Sequence, residues 1–213
     1  VARLEALHKR FPDSQEIAFE LAKGLFNLTV TQETAQDRRD TVGRLEALHN
    51  SFPDSQEIAL AFAKGLVNLT VRQETAQDRR DTVGRLEALH KRFPDSQEIA
   101  LAFAKGLFNL TVTQETAQDT LGTVARLEAL HKRFPDSQEI ALAFAKGLFN
   151  LTVTQETAQD TLGTVARLEA LHKRFPDSQE IAFELAKGLF NLTVTQETAQ
   201  DRRDTVGRLE ALH

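Results

Sequence analysis

Three sets of side chains in this chain have types and spacings that chemistry could use. The first is histidine: His8, His49, His90, His131, His172 and His213 recur every 41 residues. A ladder of imidazoles suggests metal binding. Successive copies would stand a helix diameter apart, about 10 Å, far beyond the roughly 2 Å reach of a metal–nitrogen bond, and no co-ligands share their spacing. We read them as partly buried, neutral structural residues. A buried neutral histidine has a depressed folded pKa, so stability should fall as pH drops below the unfolded value of about 6.5. The second set is Ser14, Ser55, Ser96, Ser137 and Ser178. A nucleophile needs a base, none is near in sequence, and a helix start accounts for them. The third set is Glu16, Lys23 and Asn27, repeated as Glu57, Lys64, Asn68; Glu98, Lys105, Asn109; Glu139, Lys146, Asn150; and Glu180, Lys187, Asn191. Asparagine offers a donor and an acceptor to an extended chain, and lysine offers a charge. That chemistry is non-covalent recognition of a peptide. The competing reading is a polar stripe that a packed helix shows to water.

These residues come in identical copies. A catalytic site needs one asymmetric pocket, so the chain reads as no enzyme, with no catalytic, cofactor-binding or metal-ligating residue to assign. The triplet Asn27-Leu28-Thr29 matches a glycosylation acceptor but falls on a helix and is read as coincidental.

The phrase RLEALH begins at Arg3, Arg44, Arg85, Arg126, Arg167 and Arg208, always 41 residues apart. Residues 85–125 equal 126–166, and 3–43 equal 167–207. Such identity marks recent duplication or deliberate consensus construction. The whole chain, 1–213, reads as one array of about five units that starts and ends within a helix B and has no dedicated caps. Phe19-x-Leu21 becomes Leu60-x-Phe62 in the middle copies, a swap that conserves volume. Arg38-Arg39-Asp40 becomes Thr120-Leu121-Gly122 and Thr161-Leu162-Gly163, which places the charged versions towards the ends, where greater exposure suits them.

Each unit predicts two helices. Pro12 separates helix A from what precedes it, Asp13 can cap it, and Glu16 follows three residues later as in a capping box. Helix A runs from Ile17 to Leu28, with no glycine to mark its end. Its apolar residues cover more than half of its circumference, so it must pack on several sides. Ala22 and Gly24 allow a close neighbour. Helix B starts near Thr34 or Ala35 and ends at Phe52, before Pro53. Its narrower apolar stripe is Thr41, Val42, Leu45, Leu48 and Phe52. Asp40–Arg44 and Glu5–Lys9 are spaced to pair along it.

Leu21-Ala22 followed by Leu25, an apolar periodic helix B with a proline at its end, and the ending LEALHKRFPDS resemble the tetratricopeptide repeat. The unit is longer than the usual 34 or so residues. The resemblance implies an all-α fold: a right-handed α-solenoid of stacked antiparallel helix pairs. It also implies that helix A lines a concave groove where lysine and asparagine hold a peptide.

The remaining exclusions come from composition. A net charge of −5 disfavours nucleic acid, no cysteine is present for disulfides or thiolate sites, and no apolar run spans a membrane. No signal peptide opens the chain, so a soluble, cytoplasmic setting is favoured. The expected function is a protein- or peptide-binding scaffold without cofactors. The alternative is a structural repeat protein that associates head to tail through its open ends.

Overall fold

A computed structural model describes every residue except Glu74, Glu115 and His213; the sixth histidine therefore lies outside the described residues. The chain is all-α. Its helices are α1 (Ala2–Arg10), α2 (Gln15–Thr31), α3 (Ala35–Ser51), α4 (Gln56–Thr70), α5 (Ala76–Arg92), α6 (Gln97–Thr111), α7 (Ala117–Arg133), α8 (Gln138–Thr154), α9 (Ala158–Arg174), α10 (Gln179–Thr195) and α11 (Ala199–Glu210). Even-numbered helices are helix A and odd-numbered ones helix B. The chain divides into two compact units, residues 1–109 and 110–213.

Serine starts helix A. Ser14 and Ser137 occupy the N-cap, and their Oγ atoms accept from the N–H of Ile17 and Ile140. This corrects the expectation that Asp13 caps the helix. Glu16 then stands second in the helix, one place short of a capping box, and accepts from Ser14 Oγ at 3.0 Å instead. A reciprocal pair does open helix B: Thr34 Oγ1 accepts from the N–H of Asp37 at 3.0 Å and donates to its carboxylate at 2.6 Å. The same threonine–aspartate pair starts α5, α7, α9 and α11. Helix A runs past Leu28, to Thr31, Thr154 and Thr195 in α2, α8 and α10 and to Thr70 and Thr111 in α4 and α6, and the Thr29 and Thr31 hydroxyls bond back to the carbonyls of Phe26 and Leu28.

In residues 1–109, α2 packs on both α3 and α4, and α3 packs on α4; in residues 110–213, α8 packs on α7, α9 and α10. Helix A therefore buries several sides. On α8, Ile140, Ala141, Phe144, Ala145, Leu148 and Leu151 are all buried, whereas α9 buries one stripe: Thr161, Thr164, Val165, Leu168 and Leu171. The close approach falls at the glycines. A Cβ on Gly147 would lie 2.6 Å from Leu127 Cδ1, so only hydrogen fits there without movement.

Three expectations change. Arg44 pairs with Glu5 of the preceding copy at 2.5 Å, not with Asp40, which instead accepts from Gln36 at 2.8 Å. Its counterparts bridge Arg85–Glu46, Arg167–Glu128 and Arg208–Glu169, so this pair is a rung between successive B helices. Arg38 is no exposed end residue. It is 6% exposed and donates to the carbonyls of Gln32 and Asn68 at 2.8 and 2.7 Å, closing the loop below one helix A against the end of the next. Thr120 and Thr161, its replacements, bond only back to their own helix starts, at Thr116 and Thr157. Finally, the phenylalanine–leucine exchange does more than conserve volume. Positions two apart on a helix point about 200° apart, so the exchange moves the ring to the opposite face. Phe62 is buried under His49 with ring centroids 5.8 Å apart, whereas Phe183 is 63% exposed.

Candidate functional site

The recurring Glu, Lys and Asn of helix A do fall along one side of it, but each has local work. Glu57, Glu98, Glu139 and Glu180 accept from the capping serines beside them at 3.1–3.4 Å. Glu16 has its carboxyl held below the usual carboxylate range by its own backbone N–H and by Ser14. Glu16 therefore stays ionised at its helix start, where negative charge is favoured.

The asparagines tie neighbouring A helices together. Asn68, Asn109, Asn150 and Asn191 donate from Nδ2 to Thr29, Thr70, Thr111 and Thr152 of the preceding copy at 2.8–2.9 Å. Asn27, on the first helix A described, is exposed. The glycosylation-like triplet has the same explanation: its asparagine and threonine positions are the two partners of this bond.

The lysines lie over aromatic rings. Lys64 stands over Phe26 of the preceding copy, 5.9 Å from the ring centroid, and Lys187 over Phe149 at 3.9 Å. Lys23 covers Phe19 at 4.8 Å and pairs with Glu20 at 2.6 Å, and Lys187 likewise pairs with Glu184 at 2.5 Å. Lys146 is also engaged. Lys105 is exposed and has neither a ring nor a carboxylate against it among the described residues.

In residues 1–109 these side chains frame two clefts along the A helices. One, of about 320 Å³, is edged by Lys23, Asn27, Glu57 and Lys64 over Phe19, Phe26, Leu60 and Ala61. The next, of about 390 Å³, is edged by Lys64, Asn68, Glu98 and Lys105 over Phe26, Val67, Leu101 and Ala102. Sequence reasoning found the polar edge and missed the apolar floor. The floor was hidden among residues assigned to the core, and the middle copies expose it by replacing Glu20 with Ala61 and Ala102.

The opposite side carries the histidines. Nδ1 of His8, His49, His90, His131 and His172 is buried without a hydrogen-bond partner. His131 stacks on Phe144, 5.9 Å between centroids, and tilts against Phe175 at 6.2 Å. Burial pushes the His49 and His131 imidazoles below their ordinary pKa, and Arg92 and Arg174 add to it against the smaller pull of Glu46 and Glu128. Near His131, Glu128 accepts from Lys132 and Arg167, and the first of these bonds is the main reason its carboxyl lies low. Among the described residues no three histidines, aspartates or glutamates gather as a metal-ligand set. None of the described helices is long and apolar enough to cross a membrane.

Compared with known proteins, the chain matches no family model, no curated sequence and no solved structure.

Proposed function

We propose that this chain is a non-enzymatic scaffold that binds an extended peptide or protein segment along its A helices, in the manner of a right-handed, tetratricopeptide-like α-solenoid. One observation carries the reading: two adjoining clefts on the A helices of residues 1–109, each with an apolar floor and an edge of lysine, asparagine and glutamate. A mostly apolar concavity with a few orienting polar groups is the usual form of a ligand site. Its recurrence in two successive repeats suits a ligand that is itself extended. Lysine supplies the directional charge, since most asparagine amides are already spent on threonine and the glutamates on serine.

An unbiased peptide-display selection tests this. The control carries Glu at Lys23, Lys64, Lys105, Lys146 and Lys187, with its helicity checked by circular dichroism. A shared motif enriched on the parent and lost on a folded control supports the groove. A motif retained by the control, or none at all, sinks it.

A second reading rests on α10. Residues 167–207 repeat 3–43, so α10 presents the face that α2 turns to α4. Phe183 and Phe190 are each 63% exposed there. Self-association through that face predicts an apparent mass that rises with concentration in light scattering and falls back when both are changed to Ser. A constant monomer mass excludes it.

A further inference from the structure

The repeats are most informative where one copy breaks the pattern. Phe26, Phe108, Phe149 and Phe190 occupy the same place in four copies, and the remaining copy has Val67. In the pattern set by Phe26 with Lys64 and Phe149 with Lys187, the lysine 38 residues on lies over that ring. Lys105 is the lysine 38 residues after Val67. It therefore faces a position where the ring is missing, and among the described residues it has no substitute partner. Space accompanies the missing ring: the cleft over Val67 measures about 390 Å³, against about 320 Å³ for the homologous cleft over Phe26. Leu101 and Ala102 form its walls, and neither closes it.

We propose that this cleft takes an aromatic side chain of a peptide ligand, its ring lying where the other copies place their own phenylalanine and one face turned to Lys105. The inference rests on the groove reading and names the anchor residue of the ligand. The chain itself shows the geometry: in two other copies the same backbone positions hold a ring, Phe26 or Phe149, under an ammonium group. A ligand ring gains apolar burial against Val67 and Leu101 and a cation–π contact with Lys105. An aliphatic side chain gains the first alone.

The test uses N-acetyl-tryptophanamide as probe. The chain has no tryptophan or tyrosine, so tryptophan emission reports the probe alone. Saturable, blue-shifted emission with one site is expected for the full chain, with N-acetyl-leucinamide a much poorer competitor. Val67→Phe installs the residue of the four other copies, so it should fold, and it should abolish the site. Lys105→Gln should weaken binding roughly two- to fivefold, the worth of an exposed cation–π contact. No saturable response from the parent, or a response unchanged in Val67→Phe, overturns the proposal. Peptide display separates the two layers. A lysine-dependent motif lacking any aromatic residue overturns the anchor and leaves the groove standing. Probe binding abolished by Val67→Phe, with no motif enriched, upholds the cleft and sinks the extended-peptide reading.

Discussion

At the scale of single residues, the histidines and glycines make opposite demands on their surroundings. His49 and His131 each have a buried Nδ1 with no hydrogen-bond partner. Protonation would create a second N–H with nothing to receive it, beside Arg92 or Arg174 in the two cases whose pKa burial lowers. The unfolded chain takes up the proton near pH 6.5 while the folded chain resists, so the unfolded state binds more protons below that pH. Stability is therefore fully present above pH 6.5 and falls as pH drops from there towards the lower folded pKa. We expect the Tm to fall between pH 7.5 and 5.5, and to fall less in a His49→Gln, His131→Gln variant. An equal fall in the variant would rule out these two histidines as the cause. The glycines split by environment. A Cβ at Gly147 meets Leu127 at 2.6 Å, whereas at Gly24 the nearest atom is Leu4 Cδ1 at 3.4 Å. Gly147→Ala should destabilise, since the roughly 1–3 kcal/mol of forcing Leu127 aside is offset only by about 1 kcal/mol of helix propensity. Gly24→Ala should stabilise by roughly 0.5–1 kcal/mol through helix propensity. Urea titration of both variants checks the difference in sign.

At the scale of elements, the helix starts carry much of the specification. Ser137 caps α8, accepting from the N–H of Ile140 at 3.4 Å, while Asp136 beside it is exposed and turned outside the helix, accepting from Arg174 at 2.9 Å. Ser137→Ala should therefore cost about 1 kcal/mol. Asp136→Ala should lose only an exposed ion pair, at most about 1 kcal/mol and screened by salt. Denaturation in low and high salt distinguishes them, since only the aspartate effect should shrink. The sequence made the existence, order and faces of these helices legible, because an apolar set wrapping helix A and a single stripe on helix B follow from residue types alone. It left the cap assignment ambiguous, because Asp13 and Ser14 are adjacent and both are good caps. It also misdirected Arg44. Spacing along one helix offers only Asp40, and the true partner, Glu5, lies 39 residues back on the preceding helix B. Rungs of this kind become visible only once the repeat is stacked. The polar edge of the candidate site was legible for the same reason that the helices were. Its floor was not, since Leu60 and Ala61 look like core until packing leaves them beside a cleft.

At the scale of the whole molecule, the exact repeat turns packing into a statement about neighbours. Within each unit the packed helices are adjacent or next but one in chain order: α2 with α3 and α4 in residues 1–109, α8 with α7, α9 and α10 in residues 110–213. Stability should then be a sum of repeat terms and nearest-neighbour interfaces, with no contact that requires the full length. A deletion tests this cleanly. Residues 126–166 duplicate 85–125, so removing them joins Ala125 to Arg167 and recreates the native junction of Ala166 with Arg167. Each interface in the shortened chain is one that the parent already makes. It should fold with the same helicity per residue. Its denaturant m-value should fall by about a fifth, in step with the surface that no longer becomes exposed on unfolding. A midpoint lowered modestly alongside that m-value fits the loss of one repeat and its interface. Collapse of the shortened chain into a non-cooperative state would show instead that distant repeats depend on one another, and the additive account would have to be abandoned.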